Sequence, residues 1–124
     1  MSRRVLIVED EYIVAADLEA KLADMGYDVT GLAASGEEAL SIADQKRPDI
    51  VLIDIRLQGR MSGREAAQLI QRKTGAVVVF ITAFAVLREN RDEKSRDGIY
   101  LSKPFSTAQL KVALESAVAA RAET

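Results

Sequence analysis

Three stretches of this chain are apolar at every position: VLIV at residues 5–8, IVLI at 50–53 and AVVVFI at 76–81. A strand that alternates apolar and polar side chains buries one face, whereas a strand apolar throughout must be covered on both. Longer amphipathic segments lie between these runs. Ile13, Val14, Leu18, Leu22 and Met25 recur at helical spacing from Tyr12 to Met25, and Gly26 is a suitable stop. Ser35-Gly36-Glu37-Glu38 reads as a capping box opening a helix to about Lys46, which Pro48 ends. Gly63–Lys73 reads as a helix turning Ala66, Ala67 and Leu69-Ile70 inward, closed by Gly75. Ser106 with Gln109 is a second capping box, followed by Leu110, Ala113, Leu114, Ala117 and Val118 at helical spacing. Tyr27–Ala33 and Gly98–Leu101 read as weaker strands. This alternation predicts an α/β fold, a parallel sheet wound with helices on both faces through right-handed crossovers.

The chain has 124 residues, 48% of them apolar and 29% charged, which suits a single folded domain over residues 1–124 with no output domain behind it. A net charge of −2 argues against a nucleic-acid binder. There is no cysteine, hence no disulfide or thiolate site, and no histidine, which excludes a serine–histidine triad and a histidine-ligated zinc. The start, MSRRVLIVEDE, is too soon interrupted by acids to be a signal peptide, and no segment has the roughly 20 apolar residues needed to span a bilayer. The expectation is a cytoplasmic protein without membrane partners.

The apolar strands end abruptly in polar groups. Glu9 and Asp10 follow the first strand, Asp54 the third, Thr82 the fourth and Lys103 the fifth. In an open parallel sheet the ligand site lies at the carboxyl ends of the strands. Three carboxylates brought together there repel one another, and a hard cation such as Mg²⁺ would relieve the repulsion. A carboxylate beside such an ion can attack phosphorus, with Lys103 neutralising phosphoryl oxygens and Thr82 donating a hydrogen bond to one.

With VLIVEDE, IVLIDIRL, VVVFITA and IYLSKPF in this order and spacing, the chain resembles a response-regulator receiver domain of two-component signalling, the stand-alone type similar to the chemotaxis response regulator. The resemblance implies a flavodoxin-like sheet in the order 2-1-3-4-5 flanked by five helices. It implies that Asp54 accepts a phosphoryl group from a sensor histidine kinase or phosphotransfer protein. Asp10 would bind Mg²⁺ directly, Glu9 largely through water, and the backbone carbonyl of Arg56 would complete the protein ligands. Thr82 and Lys103 would grip the phosphoryl group, and Tyr100 would be the switch aromatic. Output would be altered binding of a downstream target protein at the face of the fourth helix, fifth strand and fifth helix, as a relay shuttle, a phosphate sink or a docking regulator.

Two stretches depart from the family pattern. The loop Gln58-Gly59-Arg60-Met61-Ser62-Gly63 lacks the usual proline and is one residue longer, with Gly59 and Gly63 expected to supply its freedom. Arg56, Arg60 and Arg64 surround the proposed pocket at four-residue intervals and read as solvated loop charges rather than as an attraction for a phosphorylated partner. Residues 88–97 carry no apolar side chain where a fourth helix is expected, and Phe84 stands where it could shield the phosphoryl group. Two rival readings stay open: an adaptor that binds its partner without phosphorylation, and a small Mg²⁺-dependent phosphatase. Such phosphatases place a second acid two residues after the nucleophile, where this chain has Arg56.

Overall fold

Every strand pair is parallel, and the strands lie in the order β2-β1-β3-β4-β5 in a computed structural model that describes residues 3–83 and 98–122. The strands are β1 (Arg4–Val8), β2 (Asp28–Ala33), β3 (Ile50–Asp54), β4 (Val77–Ala83) and β5 (Ile99–Lys103). The described helices are α1 (Tyr12–Asp24), α2 (Gly36–Lys46), α3 (Gly63–Thr74) and α4 (Thr107–Ala122). The doubly wound, flavodoxin-like architecture and its strand order are as expected. Of the five helices expected, the one assigned to residues 88–97 lies outside the described residues, as does Phe84.

Successive side chains of a strand point to opposite faces, so the continuous apolar runs split into two cores. Val5, Ile7, Ile50, Leu52, Val79 and Ile81 meet Ala15, Leu18 and Leu22 of α1 and Leu110, Ala113, Leu114 and Ala117 of α4. Leu6, Val8, Val51, Ile53, Val78 and Phe80 meet Ala39 and Ala43 of α2 and Ala66, Ala67 and Ile70 of α3. Truncating one of the fully buried members, as in Leu52→Ala, removes contacts and leaves a void, at a cost of roughly 2–5 kcal/mol.

The inward face of α1 differs from the sequence reading. Ile13 is 83% exposed and Ala15 is buried instead: Val14, Leu18 and Leu22 form the inward stripe, and at 3.6 residues per turn Ile13 falls on the opposite side of the helix. The helix starts show how local chemistry sets the loops. Ser106 Oγ accepts from Gln109 N at 3.0 Å and Gln109 Oε1 from Ser106 N at 2.8 Å, a reciprocal box. Ser35 Oγ accepts from Glu38 N at 3.1 Å, but the Glu38 carboxylate takes the N–H of Ala34 rather than of Ser35. A third, unanticipated box joins Ser62 and Glu65 at the start of α3. It places the first turn of α3 directly after the loop that borders the strand ends.

Candidate phosphoacceptor site

Parallel pairing carries the carboxyl ends of β1, β3, β4 and β5 to one edge, and with them Glu9, Asp54, Thr82 and Lys103. Glu9 is 3% exposed, Asp54 6% and Thr82 1%, whereas Asp10 is only half-buried. One carboxylate oxygen from each of Glu9, Asp10 and Asp54 lies within 4.8 Å of the other two. Lys103 Nζ bonds Asp54 Oδ2 at 2.8 Å and stands 4.0 Å from Glu9 Oε2. The remaining Asp54 oxygen, Oδ1, accepts from Arg56 N at 2.8 Å. Asp54 is thus held by one cation and one amide, with both oxygens oriented before any ligand arrives.

The charges do not balance. Among the described residues three carboxylates face a single ammonium, and burial pushes the Glu9 carboxyl up to about 7. The hydrogen bonding and charge of Asp54 add to that rise; the Glu11 amide on Glu9 and the charge of Lys103 oppose it. Burial pulls the Lys103 ammonium down, but the hydrogen bond and charge of Asp54, with Glu9 and Glu11 behind it, outweigh burial and raise it above the usual lysine range. Among the described residues, Glu9 Oε2 and Thr82 Oγ1 are buried without a hydrogen-bond partner. Leaving a buried polar atom unpaired costs about 1–3 kcal/mol, so two such atoms at one edge mark places prepared for a ligand. An all-oxygen donor set around an excess of negative charge fits Mg²⁺.

The loop after β3 closes the site from one side. Gln58 N donates to Asp10 Oδ2 at 3.3 Å, tying the loop to the second acid. Met61 packs against Gly36, at the start of α2, where an added Cβ would come within 3.0 Å of the Met61 side chain. Gly59 has a φ of 119°, a conformation that suits glycine. Gly63 is needed for a different reason from the freedom expected of it: a Cβ there would collide with the Asp54 carbonyl oxygen and press on Ile55. The close approach seats α3 directly beneath Asp54.

Tyr100 is half-buried, with its ring 5.0 Å from that of Phe80. Arg64 Nη1 donates to its hydroxyl at 2.9 Å. This corrects the reading of Arg64 as a solvated loop charge: it lies on α3 and its guanidinium covers the Phe80 ring at 5.1 Å. Arg56 and Arg60 are exposed, as expected. The roles of Gly63 and Arg64 escaped the sequence because both depend on how closely α3 sits against β3 and β4. The one local signal was the Ser62–Glu65 box, which fixes where α3 begins.

The family described as response regulator receiver domain matches residues 5–115. The chain belongs to the response-regulator receiver family. It is 40% identical over 119 residues to the transcriptional regulatory protein PdtaR of Mycobacterium tuberculosis, covering 94% of this chain and 57% of that protein. The signal receiver domain of a modulated diguanylate cyclase from Desulfovibrio desulfuricans superposes with a TM-score of 0.87 at 35% identity, covering 98% of this chain and 97% of that one. The anti-anti-sigma factor PhyR of Bartonella quintana superposes with a TM-score of 0.87 at 31% identity, covering 99% of this chain and 50% of that one. The chain spans about half the length of the curated relatives it matches. It is a receiver domain of two-component signalling, and among the described residues no helix is long and apolar enough to cross a membrane.

Proposed function

We propose that this receiver takes a phosphoryl group on Asp54 from a phosphohistidine of a sensor kinase or phosphotransfer protein, and that this changes its binding to a downstream target protein. The observation that carries the reading is the Asp54 carboxylate, set between two further acids and Lys103, with Thr82 one residue past the register partner of Asp54 on β4 and its buried hydroxyl without a partner among the described residues. A carboxylate oxygen of Asp54 attacks phosphorus, the new O–P bond forms as the N–P bond breaks, and the electron pair leaves with the imidazole. Lys103 remains beside the oxygens it already pairs with and neutralises the transferred charge. The Thr82 hydroxyl turns to donate to a phosphoryl oxygen, gaining the hydrogen bond it lacks.

Glu9, Asp10 and Asp54, with the backbone carbonyl of Arg56, would hold Mg²⁺. When bound, the ion supplies charge neutralisation to the incoming phosphoryl oxygens. The output surface we assign to β5 and α4, where Tyr100, Leu101, Ala108, Val112 and Ala113 help line a groove of about 420 Å³ and Val112 is 61% exposed. Regulatory relatives named as a transcriptional regulator and an anti-anti-sigma factor support an output made through macromolecular partners rather than turnover.

Intact mass after incubation with Mg²⁺ and acetyl phosphate tests the reading. One added phosphoryl group is expected, lost in Asp54→Asn and in a metal-free sample. An adduct that persists in Asp54→Asn, or no adduct from either acetyl phosphate or a phosphohistidine donor, would overturn it.

A further inference from the structure

We infer that Arg64 is a positioning residue for Tyr100, a latch that ties the phosphoacceptor loop to the strand on the output side. This rests on the phosphorylation reading for its purpose but not for its geometry. Arg64 immediately follows Gly63, the residue pressed against the Asp54 carbonyl, so any movement of the backbone around Asp54 is carried into the first turn of α3. From there the guanidinium reaches over the sheet. It donates to the Tyr100 hydroxyl at 2.9 Å and lies 5.1 Å from the Phe80 ring centre and 5.9 Å from that of Tyr100.

The three groups interlock. Phe80 and Tyr100 are register partners on β4 and β5, and their rings pack at 5.0 Å. At Gly98 a Cβ would collide with the Val78 carbonyl at 2.7 Å and crowd the Phe80 ring at 3.2 Å. The entry to β5 is therefore pinned against the same ring that Arg64 covers. Thr82 lies two residues beyond Phe80 on β4 and shares its side of the strand, since strand side chains alternate. A displacement of Thr82 toward a phosphoryl group and a displacement of α3 around Asp54 thus converge on one aromatic side chain.

A guanidinium serves this purpose where an ammonium would not. Its planar fork can donate to the phenol while its face stays on the Phe80 ring, and it keeps its charge at any working pH. Loss of both contacts would shift the population of the held Tyr100 position by about tenfold. Arg64 acts on Tyr100 and makes no contact with the reacting atoms in this scheme, so phosphorylation stoichiometry is expected to survive its removal.

The experiment follows the ring signals of ¹³C-labelled tyrosine in the full chain, with Tyr100 assigned by Tyr100→Phe and phosphorylation scored by mass. In Arg64→Gln the adduct is expected at the wild-type level, while the Tyr100 signals move before phosphorylation and their response to it changes. Arg64→Lys, which keeps the charge but not the fork, is expected to restore only part of that response. Tyr100 signals in Arg64→Gln that superimpose on wild type in both states would overturn the latch. If the wild-type protein takes no phosphoryl group, the phosphorylation reading fails, yet the comparison of unphosphorylated signals still decides whether Arg64 holds Tyr100. Should Arg64→Gln fail to fold, Tyr100→Phe removes only the hydroxyl. The ¹⁵N signals of the Arg64 side chain should then shift and broaden, and unchanged signals would overturn the proposal.

Discussion

The two edges of the sheet handle acids in opposite ways. At the amino ends of the strands, Asp49 Oδ2 accepts from Arg4 N at 3.0 Å, and its Oδ1 lies 3.7 Å from Arg121 Nη2. The same arginine donates to the Gly75 carbonyl at 2.6 Å, which ties α4 to the end of α3. Here a single acid has a backbone donor on one oxygen and an arginine facing the other. At the carboxyl ends, among the described residues, three carboxylates share one lysine and two buried polar atoms have no hydrogen-bond partner. A structural charge is completed by the protein, whereas a functional one is left for a ligand to complete. The contrast lies in the pairing, since both edges carry acids and cations.

The comparison can be broken by substitutions at either edge. The largest effect is expected at Gly63, where Gly63→Ala drives a Cβ into the Asp54 carbonyl and should cost about 3 kcal/mol in a denaturant melt. It should also abolish the stabilisation expected of the wild type on adding Mg²⁺, because the backbone at Asp54 must move. Glu9→Gln comes next. The folded protein holds the Glu9 proton up to about pH 7, whereas the unfolded chain releases it near 4.5. The associated stability is complete below pH 4.5 and is lost as pH rises through 7. Metal-free wild type should therefore weaken over that window by on the order of 2 kcal/mol, and Glu9→Gln should flatten the profile. A wild-type profile already flat between pH 4.5 and 7 would show that the acid excess is not felt.

At the opposite edge, Arg121→Ala should cost about 1 kcal/mol, because it removes a half-exposed partner from Asp49 and Gly75. Its cost should be the same with and without Mg²⁺, and a difference would show that the two edges are coupled. The smallest effect belongs to Thr82→Val, which deletes a buried hydroxyl that has no partner among the described residues. Stability should change by no more than about 0.5 kcal/mol, and a gain would sharpen the contrast. A loss above about 1 kcal/mol would mean that the hydroxyl is satisfied in solution before phosphorylation.

Much of this was legible in the order of residues. Continuous apolar runs at 5–8, 50–53 and 76–81 required a sheet covered on both faces, and the polar residues that end them had to share an edge once the strands ran parallel. Glu9, Asp10, Asp54, Thr82 and Lys103 could be named for that reason; the structure brings the three acids and Lys103 together and buries Thr82 near the end of the neighbouring strand. Periodicity served less well at helix ends. Ile13 groups with the apolar residues of α1 yet points to solvent, because at 3.6 residues per turn it lies opposite the stripe of Val14, Leu18 and Leu22.

At the site, Gly63 and Arg64 were misread. A glycine in a loop suggests freedom of φ, and only the approach of another backbone reveals that the missing Cβ is what matters. An arginine in a polar stretch suggests solvent, and only the placement of Phe80 and Tyr100 on neighbouring strands turns it into a contact. The sequence by itself determined the sheet, its two cores and the chemistry gathered at one edge, because strand periodicity and strand direction are local properties that parallel pairing multiplies. Tertiary structure alone decided the distances that matter: how near α3 lies to Asp54, how Arg64 meets Tyr100, and which buried oxygens lack a partner. Those are packing distances between segments far apart in the chain, and no local pattern encodes them.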